Sequence, residues 1–217
     1  MDIKDYIVYE DEHLLVCHKL PKIATQTSRI GEKDMVSLLK NYLHQQSSKK
    51  QEPYLAVIHR LDQMVEGLLV FAKTPFAAKE LSRQLQQKGF GKEYRAVVCK
   101  TPQQQEGTLV NYMVKDKRSN TSRVCGENEM GAKKAVLHYK VTEEQGDGTA
   151  VLHICLETGR HHQIRVQLSN IGCGIMGDAK YNAGNYEQEK WDKIALCAYR
   201  LRFVHPKTKK EMVFELE

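Results

Sequence analysis

Short apolar runs separated by polar turns recur along the chain, and they predict many strands and few helices. In Ala56–Thr74, the runs Ala56–Ile58 and Leu68–Ala72 flank a charged segment. Uncharged runs of this length, rich in β-branched and aromatic residues, are typical of buried strands. Further strands are predicted at Ile7–Tyr9, Leu14–Cys17, Lys92–Cys99, Ala135–Val141, Thr149–Glu157, Ile194–Phe203 and Glu211–Leu216.

Helical spacing of apolar residues occurs in three segments. The apolar positions are Met35, Leu38, Leu39 and Leu43; Phe76, Leu81 and Leu85; and Ile164, Leu168 and Ile171. Asp34 and Thr74 are suited to cap the first two helices, while Gly89 and Gly172 are suited to end the second and third. The three segments are therefore predicted to be amphipathic helices with one buried face each.

The order of these elements predicts the fold class. Ala135–Val141 and Thr149–Glu157 are predicted to form a hairpin around Gln145–Gly148, and Thr101–Met130 is polar and predicted to be irregular. Many strands with hairpin connections and few helices indicate an α+β fold, in which a mostly antiparallel mixed central sheet carries flanking helices. A chain of 217 residues can bury one substantial core, so a single domain over residues 1–217 is predicted.

Composition indicates a cytoplasmic protein without a metal site. Hydrophobic residues make up 41% and charged residues 28% of the chain, no apolar run is long enough to span a bilayer, and the first residues are too acidic for a signal peptide. The six cysteines are scattered without a CxxC pair, which favours thiols in a reducing compartment over disulfides or a zinc site. A membrane partner is not predicted.

The formal net charge of +6 is compatible with a polyanionic partner but does not establish one. A basic cluster lies at Lys115–Arg118 and Arg123. Such a cluster can contact a phosphate backbone or can simply be solvated.

The segment His59–Asp62 is the main candidate for chemistry, because it follows a predicted core strand, where the sheet holds the backbone and the loop frees the side chain. The alternative is an ordinary turn in which Asp62 caps the backbone and Arg60 is solvated.

The adjacent His161 and His162 suggest a metal site. That reading is disfavoured because neighbouring side chains diverge on a helix and no carboxylate follows at helical spacing.

Two stretches, HRLDQMVEGLLVFAKT at His59–Thr74 and LETGRHHQIRVQL at Leu156–Leu168, resemble the two signature regions of the RluA family of RNA pseudouridine synthases. The likeness extends to the opening strand pair Ile7–Lys19, the tyrosine-bearing strand Lys92–Val98 and the glycine-aspartate element Ile175–Tyr181. The ordered set covers nearly the whole chain. It starts almost at Met1, so no leading RNA-binding module of the S4 type is expected.

The resemblance implies an isomerase that cuts the glycosidic bond of a uridine in rRNA or tRNA and rejoins the ribose to C5, without a metal or organic cofactor. Asp62 matches the nucleophile, and attack on the ribose and attack on the base both stay open. Tyr94 matches the tyrosine that stacks on the target base and assists proton removal from C5. Arg165 matches the basic residue that pairs with the aspartate, so these three groups are expected to meet in one basic cleft.

The resemblance also implies contacts with RNA, and we expect the protein to be a monomer. Arg60 matches the arginine that fills the place vacated by the flipped nucleotide. The full set of residues predicted to contact RNA is His59, Arg60, Lys73, Arg123, Arg160 and His161.

Several positions depart from the family pattern. Val65-Glu66 stands where Thr-Ser is usual, His161 where Thr is usual, and Gln167 where His is usual; the usual Lys-Pro-x-Gly turn appears as Lys19–Lys22. Glu66 adds a negative charge near the expected phosphates. This charge is unfavourable unless Arg123, Lys73 or another cation neutralises it.

Two other functions stay open at this point. A non-catalytic RNA-binding protein on the same fold would bind RNA without forming product. An aspartate-based hydrolase such as a glycosidase needs a second carboxylate, for which Glu66 is the only candidate nearby in sequence. A protein kinase is excluded, because no DFG motif, Gly-rich loop or strand lysine accompanies His59–Asp62.

Overall fold

The computed structural model describes residues 2–27, 31–47, 51–87, 89–182 and 191–217, which contain three α-helices and eleven strands. These residues divide into two compact units. Unit 1 consists of the chain up to Lys92 together with Ala198–Glu217, and unit 2 consists of Glu93–Cys197. The α+β class and the mostly antiparallel sheet are confirmed. The single domain over residues 1–217 stays a prediction.

Unit 1 contains strands from both ends of the chain. They are β1 (Ile7–Glu10), β2 (Leu14–Lys19), β3 (Ala56–Val57), β4 (Glu66–Ala72), β11 (Glu211–Glu215) and most of β10 (Leu196–Val204). β2 pairs antiparallel with β1 and β4, β3 pairs antiparallel with β4, and β11 pairs antiparallel with β10. The order β1-β2-β4-β10 therefore places the first and last parts of the chain in one sheet.

Two helices of unit 1 begin where the sequence predicts. α1 (Met35–Gln46) is capped by Asp34, whose carboxylate accepts the N–H of Ser37 at 2.7 Å, and α2 (Pro75–Gln86) is capped by Thr74. The apolar face of α2 differs from the prediction, because Phe76 is 49% exposed while Ala77 and Leu81 are fully buried. The core beneath α2 is formed by Leu14, Val16, Ile58, Leu68, Val70, Ala72, Ala77, Leu81, Phe90, Leu201 and Phe203.

The described residues of unit 2 form an antiparallel sheet with one α-helix, and strands that are consecutive in the chain are not always neighbours in the sheet. Its strands are β5 (Gly91–Val98), which starts in unit 1, β9 (Ala150–Leu156), β8 (Lys133–Glu144), β6 (Glu106–Asp116) and β7 (Thr121–Cys125), neighbours in that order. α3 (Gln163–Asn170) follows β9. Ile164 and Leu168 of α3 are buried as predicted, whereas Ile171 lies past its end and is exposed.

The prediction of an irregular segment at Thr101–Met130 is wrong, since β6 and β7 occupy most of it. Along β6 the residues alternate between exposed and half-buried, and Met113 alone is fully buried. A strand of this kind lacks the apolar run that marks a core strand, although its ladder with β8 is complete from Glu106 to Met113.

Among the residues that the structure describes, no helix has both the length and the apolar character needed to cross a membrane.

Candidate active site

Asp62 lies in the loop between β3 and β4 of unit 1, and backbone groups on both sides of it are hydrogen-bonded. The hydroxyl of Thr25 donates to the carbonyl of Leu61 (3.1 Å) and accepts the N–H of the same residue (3.2 Å). The N–H of Val65 donates to the carbonyl of Asp62 (3.0 Å), which closes a turn. Asp62 itself is half-buried. Its carboxylate is therefore carried on a satisfied backbone segment.

Lys19, the last residue of β2, holds the same loop from the interior of unit 1. Its side chain has no exposed surface, and its ammonium donates to the carbonyls of Leu20 (3.0 Å), Ile23 (2.7 Å) and Gln63 (3.0 Å). Three carbonyl acceptors satisfy the three donors of an ammonium group. The residue that follows Asp62 is thereby tied to a strand 44 residues earlier in the chain.

The charge of Glu66 is compensated locally within unit 1. Its carboxylate lies 3.0 Å from Nε2 of His18 on β2, and both side chains are largely buried. Burial lowers the pKa of Lys19 to about 8, and the negative charges of Asp62 and Glu66 act in the opposite direction. Glu66 therefore has a hydrogen-bond partner in His18 and interacts electrostatically with Lys19, so the departure from the family pattern does not leave an isolated carboxylate.

Lys73 has a different partner from the one considered in the sequence. Its ammonium forms an ion pair with Glu10 (2.6 Å) and donates to the carbonyl of Asp11 (2.6 Å). The side chain is half-buried. Lys73 thus joins the start of α2 to the β1–β2 turn and is not the cation that neutralises Glu66.

His59 and Arg60 are adjacent but have opposite environments. His59 is buried, accepts the N–H of Val70 at Nε2 (3.4 Å) and packs edge-on against Phe90, while its Nδ1 has no hydrogen-bond partner in the described part of the chain. Burial, assisted by the charge of Lys92, holds the pKa of His59 well below its usual value. Arg60 is exposed. The loop therefore offers Arg60 to a polyanion and keeps a neutral His59 in the core.

Tyr94 lies on β5 in unit 2, where alternate residues Tyr94, Ala96 and Val98 are buried. It is paired in register with Ile154 on β9. The alternation places the tyrosine ring on the buried face of the strand.

Arg165 is buried in α3 and is held by a bidentate ion pair with Asp178. Its Nε lies 2.7 Å from Oδ2 and its Nη2 lies 2.8 Å from Oδ1 of Asp178. Asp178 Oδ1 also accepts the N–H of Lys180 (3.1 Å), and the guanidinium stands 5.0 Å from the ring centroid of Tyr181. These contacts use two of the five guanidinium N–H groups and set the plane of the group.

The two histidines lie before α3, not in its first turn. His162 is the N-cap with a left-handed backbone (φ 55°), and its ring stacks on that of His161 with centroids 3.7 Å apart. The expected divergence of the two side chains on a helix is therefore wrong. His161 Nδ1 lies 2.9 Å from the hydroxyl of Ser122, and His162 Nδ1 lies 2.7 Å from that of Tyr181. Both rings thus belong to a polar network between α3 and β7.

Gln167 has a structural role in unit 2. It is fully buried, and its amide donates to the carbonyl of Leu109 (3.1 Å) and to Asn111 (2.7 Å) while accepting from Gln163 (3.0 Å). The glutamine thereby ties α3 to β6. This departure from the family pattern is explained by packing within the unit.

Arg123 and Arg160, the other two basic residues predicted to contact RNA, are exposed on unit 2. Arg123 on β7 binds both carboxylate oxygens of Glu129, at 3.1 and 2.5 Å. Arg160 donates from Nε to the carbonyl of Lys134 at 2.8 Å. Both guanidinium groups are on the surface, and Arg123 must exchange a carboxylate for a phosphate if it contacts RNA.

Sequence reasoning missed the residues that position the predicted groups. Lys19 and Thr25 hold the loop of Asp62, and Asp178 holds Arg165. Asp178 lies in the glycine-aspartate element already noted, but no spacing rule connects it to Arg165. Asp62 belongs to unit 1 and Tyr94 and Arg165 to unit 2, and their joint action stays a prediction.

Over most of its length, the chain is similar to RNA pseudouridine synthases. The family model described as RNA pseudouridylate synthase matches residues 13–170. Uncharacterized RNA pseudouridine synthase YhcT of Bacillus subtilis is 31% identical over 210 residues, which cover 96% of this chain and 67% of that protein. Ribosomal large subunit pseudouridine synthase D of Vibrio cholerae is 34% identical, with 98% and 67% covered. Ribosomal large subunit pseudouridine synthase C of Rickettsia prowazekii is 31% identical, with 88% and 60% covered.

Solved structures show the same fold. Human RNA Pseudouridylate Synthase Domain Containing 4 superposes with a TM-score of 0.81 at 22% identity, covering 99% of this chain and 89% of that one. Human RNA Pseudouridylate Synthase Domain Containing 1 has a TM-score of 0.76 at 23% identity, with 98% and 82% covered. The chain spans about two thirds of the length of the curated relatives and most of the length of these two structures.

Proposed function

The chain belongs to the RNA pseudouridylate synthase family and is an isomerase that acts on RNA, and we propose that its substrates are uridines of large-subunit ribosomal RNA. Two of the relatives described above carry that RNA in their names. Transfer RNA, the other substrate expected from the sequence, is the competing choice. The isomerisation itself follows from the family, whereas the residues that perform it and the RNA that is modified are part of the proposal.

The reaction conserves all atoms of the substrate. The bond between N1 of uracil and C1′ of ribose breaks, a bond between C5 and C1′ forms, C5 loses a proton, and N1 gains one. We propose Asp62 as the nucleophile that holds the intermediate, which divides one difficult step into two easier ones. Tyr94 would stack on the base and assist the proton leaving C5.

The observation that carries the assignment of Asp62 is the way in which its loop is held. Thr25 satisfies both backbone groups of Leu61, and Lys19 binds the carbonyl of Gln63, so the residues on either side of Asp62 are fixed from the interior of unit 1. A nucleophile held in this way needs little reorganisation when it attacks. An ordinary solvated turn does not require a fully buried lysine behind it.

Arg165 is proposed as the cation that favours the ionised form of the nucleophile. Its bidentate contact with Asp178 fixes the guanidinium plane, and an arginine stays charged at any working pH. Lysine would provide the charge without the planar, two-point attachment.

Contacts with RNA are proposed for the exposed basic residues. Arg60, Arg123 and Arg160 are exposed and can meet phosphates or the vacated place in the RNA. His161 and Lys73 are half-buried and hydrogen-bonded within their units, so they would act at the edge of such a contact. His59 is buried, so we propose a packing role for it in place of an RNA contact.

We also propose that the protein acts as a monomer in the cytoplasm. All six cysteines lie within the described residues and are thiols, which suits a reducing compartment.

The test is tritium release from RNA labelled at C5 of uridine and prepared from a strain that lacks the protein. We expect wild type to release tritium and Asp62→Asn to release it at least about a thousandfold more slowly, as for loss of an essential nucleophile. Asp147→Asn, in an exposed turn of unit 2, is the matched control and should keep wild-type activity. Substantial release by Asp62→Asn would remove the proposed nucleophile, and no release by wild type would remove the activity.

A second arm tests the substrate. Large-subunit rRNA and tRNA from the same strain are offered separately, and modified positions are mapped by reverse transcription after carbodiimide treatment. We expect release from large-subunit rRNA at discrete sites. Release from tRNA alone would overturn the substrate proposal and leave the reaction intact.

A further inference from the structure

Three side chains with different metal-binding chemistry meet on one face of unit 2. Glu93 on β5 is paired in register with Cys155 on β9, and His153 lies two residues before Cys155 on the same face. One ligand atom from each residue, the carboxylate oxygen, the imidazole nitrogen and the thiol sulfur, lies within 4.8 Å of the others. All three residues are half-buried.

The spacing is close to that of a tetrahedral zinc site. Zn–S and Zn–N bonds of about 2.3 and 2.1 Å at a tetrahedral angle place sulfur and nitrogen about 3.6 Å apart. Sγ of Cys155 lies 3.8 Å from Nε2 of His153. Oε2 of Glu93 lies 2.8 Å from the same nitrogen, and two ligands of this kind are about 3.4 Å apart around zinc. The distance between His153 Nε2 and Glu93 Oε2 would increase by about 0.6 Å, within the reach of side-chain rotation.

The charges of the three groups suit a divalent cation. A thiolate and a carboxylate bring two negative charges, so a site with one M²⁺ ion and a neutral imidazole has no net charge, which favours a half-buried position. Without the ion, burial and then the charge of Glu93 raise the pKa of the Cys155 thiol. Binding would therefore form the sulfur–metal bond with release of one proton from the thiol. Nε2 of His153, which donates its proton to Glu93 in the absence of the ion, would bind the metal after the neutral ring shifts to the tautomer protonated on Nδ1, so that the ring itself releases no net proton.

We propose that Glu93, His153 and Cys155 bind one Zn²⁺ ion, with water in the fourth position. Sulfur and imidazole ligands favour zinc over magnesium or calcium, which prefer oxygen ligands. The sequence does not reveal this site, because Glu93 is 60 residues from His153 along the chain and acquires its neighbours only through the β5–β9 ladder.

The proposed zinc site is independent of the proposed chemistry. Glu93 precedes Tyr94 on β5, and the alternation of a strand sends the two side chains to opposite faces. Other charged or titratable groups on the zinc-site face include Arg95 on β5 and Lys140 on β8, both paired with His153, and His138 on β8, paired with Cys155. His138 Nε2 is bonded to Glu157 at 2.7 Å, which makes it a suitable control on the same face.

The test is titration of the protein, stripped with chelator and kept reduced, with ZnCl₂ followed by calorimetry and with CoCl₂ followed by absorption. We expect one saturable equivalent, a cobalt–thiolate charge-transfer band in the near ultraviolet, and release of about one proton per ion, measured in buffers with different ionisation enthalpies. Cys155→Ser should abolish the charge-transfer band, and Cys155→Ser and His153→Gln should each weaken zinc binding at least about tenfold.

Matched variants separate this site from adventitious binding. Glu93→Gln keeps a hydrogen-bond acceptor for His153 but removes the charge, so it should weaken zinc binding while leaving the circular dichroism spectrum unchanged. His138→Gln and Cys125→Ser should bind zinc within about twofold of wild type. Absence of saturable binding by wild type, or binding that survives both Cys155→Ser and His153→Gln, would overturn the proposal.

Discussion

Lys19 is a cation without exposed surface, placed where the loop of Asp62 needs three backbone carbonyls satisfied at once. Burial lowers its pKa to about 8, against the attraction of the carboxylates of Asp62 and Glu66. A buried ammonium of this kind orders the loop but reduces the free energy of unfolding, because the unfolded chain solvates the charge better.

This cost predicts a pH dependence of stability. The folded pKa lies below the unfolded value of about 10.4, so between about pH 8 and pH 10 the unfolded state binds more protons and the free energy of unfolding rises with pH. Relative to Lys19→Met, wild type should gain about 2 kcal/mol over this range in urea unfolding. Taking the difference between the free energies of unfolding of wild type and Lys19→Met removes the contribution of every other group that titrates in both proteins. Parallel stability curves would contradict the lowered pKa.

Arg60 differs from its neighbour His59 in being exposed, which suits contact with a nucleic acid. If its side chain fills the place of the flipped nucleotide, it matters most where the target base must leave a stack, a step of a few kcal/mol. Arg60→Ala should therefore reduce tritium release about tenfold or more on folded RNA and much less on a loosely folded fragment carrying the same uridine. Equal losses on the two substrates would remove this role.

At the scale of elements, β4 can start beside β10 only because residue 67 is glycine. Gly67 has φ +142°, and a Cβ atom placed there would lie 2.5 Å from the carbonyl oxygen of Ala198. Both the backbone conformation and the contact exclude a side chain.

Gly67→Ala should therefore lower the free energy of unfolding by about 2–4 kcal/mol, through displaced backbone and an unfavourable φ. Gly126→Ala is the matched control, since a Cβ atom at Gly126 meets nothing within 4 Å and its φ is not positive. We expect that control to unfold within about 0.5 kcal/mol of wild type in denaturant titrations. Similar losses in both variants would show that the close approach to Ala198 is not the cause.

Helices and strands that are marked by a cap or by an apolar pattern within their own stretch of sequence could be predicted, and those that depend on remote pairing could not. The cap and apolar spacing of α1 lie within one stretch, so its start at Met35 follows from Asp34 directly. β6 has its residues half-buried or exposed along most of its length and is stabilised by the ladder with β8, which is remote in sequence. No short apolar run marks such a strand, so the sequence pattern predicts an irregular segment there.

The same distinction applies to the candidate site. Arg60 and Asp62 stand in one short motif and could be identified from it. Lys19 and Thr25 act on that motif from 44 and 36 residues away, and only the folded arrangement of unit 1 shows their hydrogen bonds. For His59 the motif predicts an RNA contact, whereas its ring is buried against Phe90, and burial of this kind depends on contacts that the motif does not contain.

At the scale of the whole chain, unit 1 is completed only by the last residues. Its first part ends at Lys92, and β10 and β11 return after unit 2 to finish its sheet and core. His205 donates to Asp11 at 2.7 Å, which connects the C-terminal hairpin to the turn between β1 and β2. This arrangement cannot be read from hydrophobic patterning, because the final two strands look like any other hairpin.

The core contribution of β11 can be tested on two adjacent residues with opposite environments. Phe214 packs on the core of unit 1, with ring centroids 5.9 Å from Phe203 and 5.7 Å from Tyr9, whereas Val213 is 46% exposed on the other face. Phe214→Ala should lower the free energy of unfolding by about 2–3 kcal/mol, less than for a fully buried phenylalanine, and Val213→Ala should change it by no more than about 0.5 kcal/mol. In hydrogen exchange, the loss of protection in Phe214→Ala should include β1 and β2, because these strands share the core that Phe214 covers. Equal effects of the two substitutions would mean that β11 is only an edge strand and that the core of unit 1 is stable without its side chains.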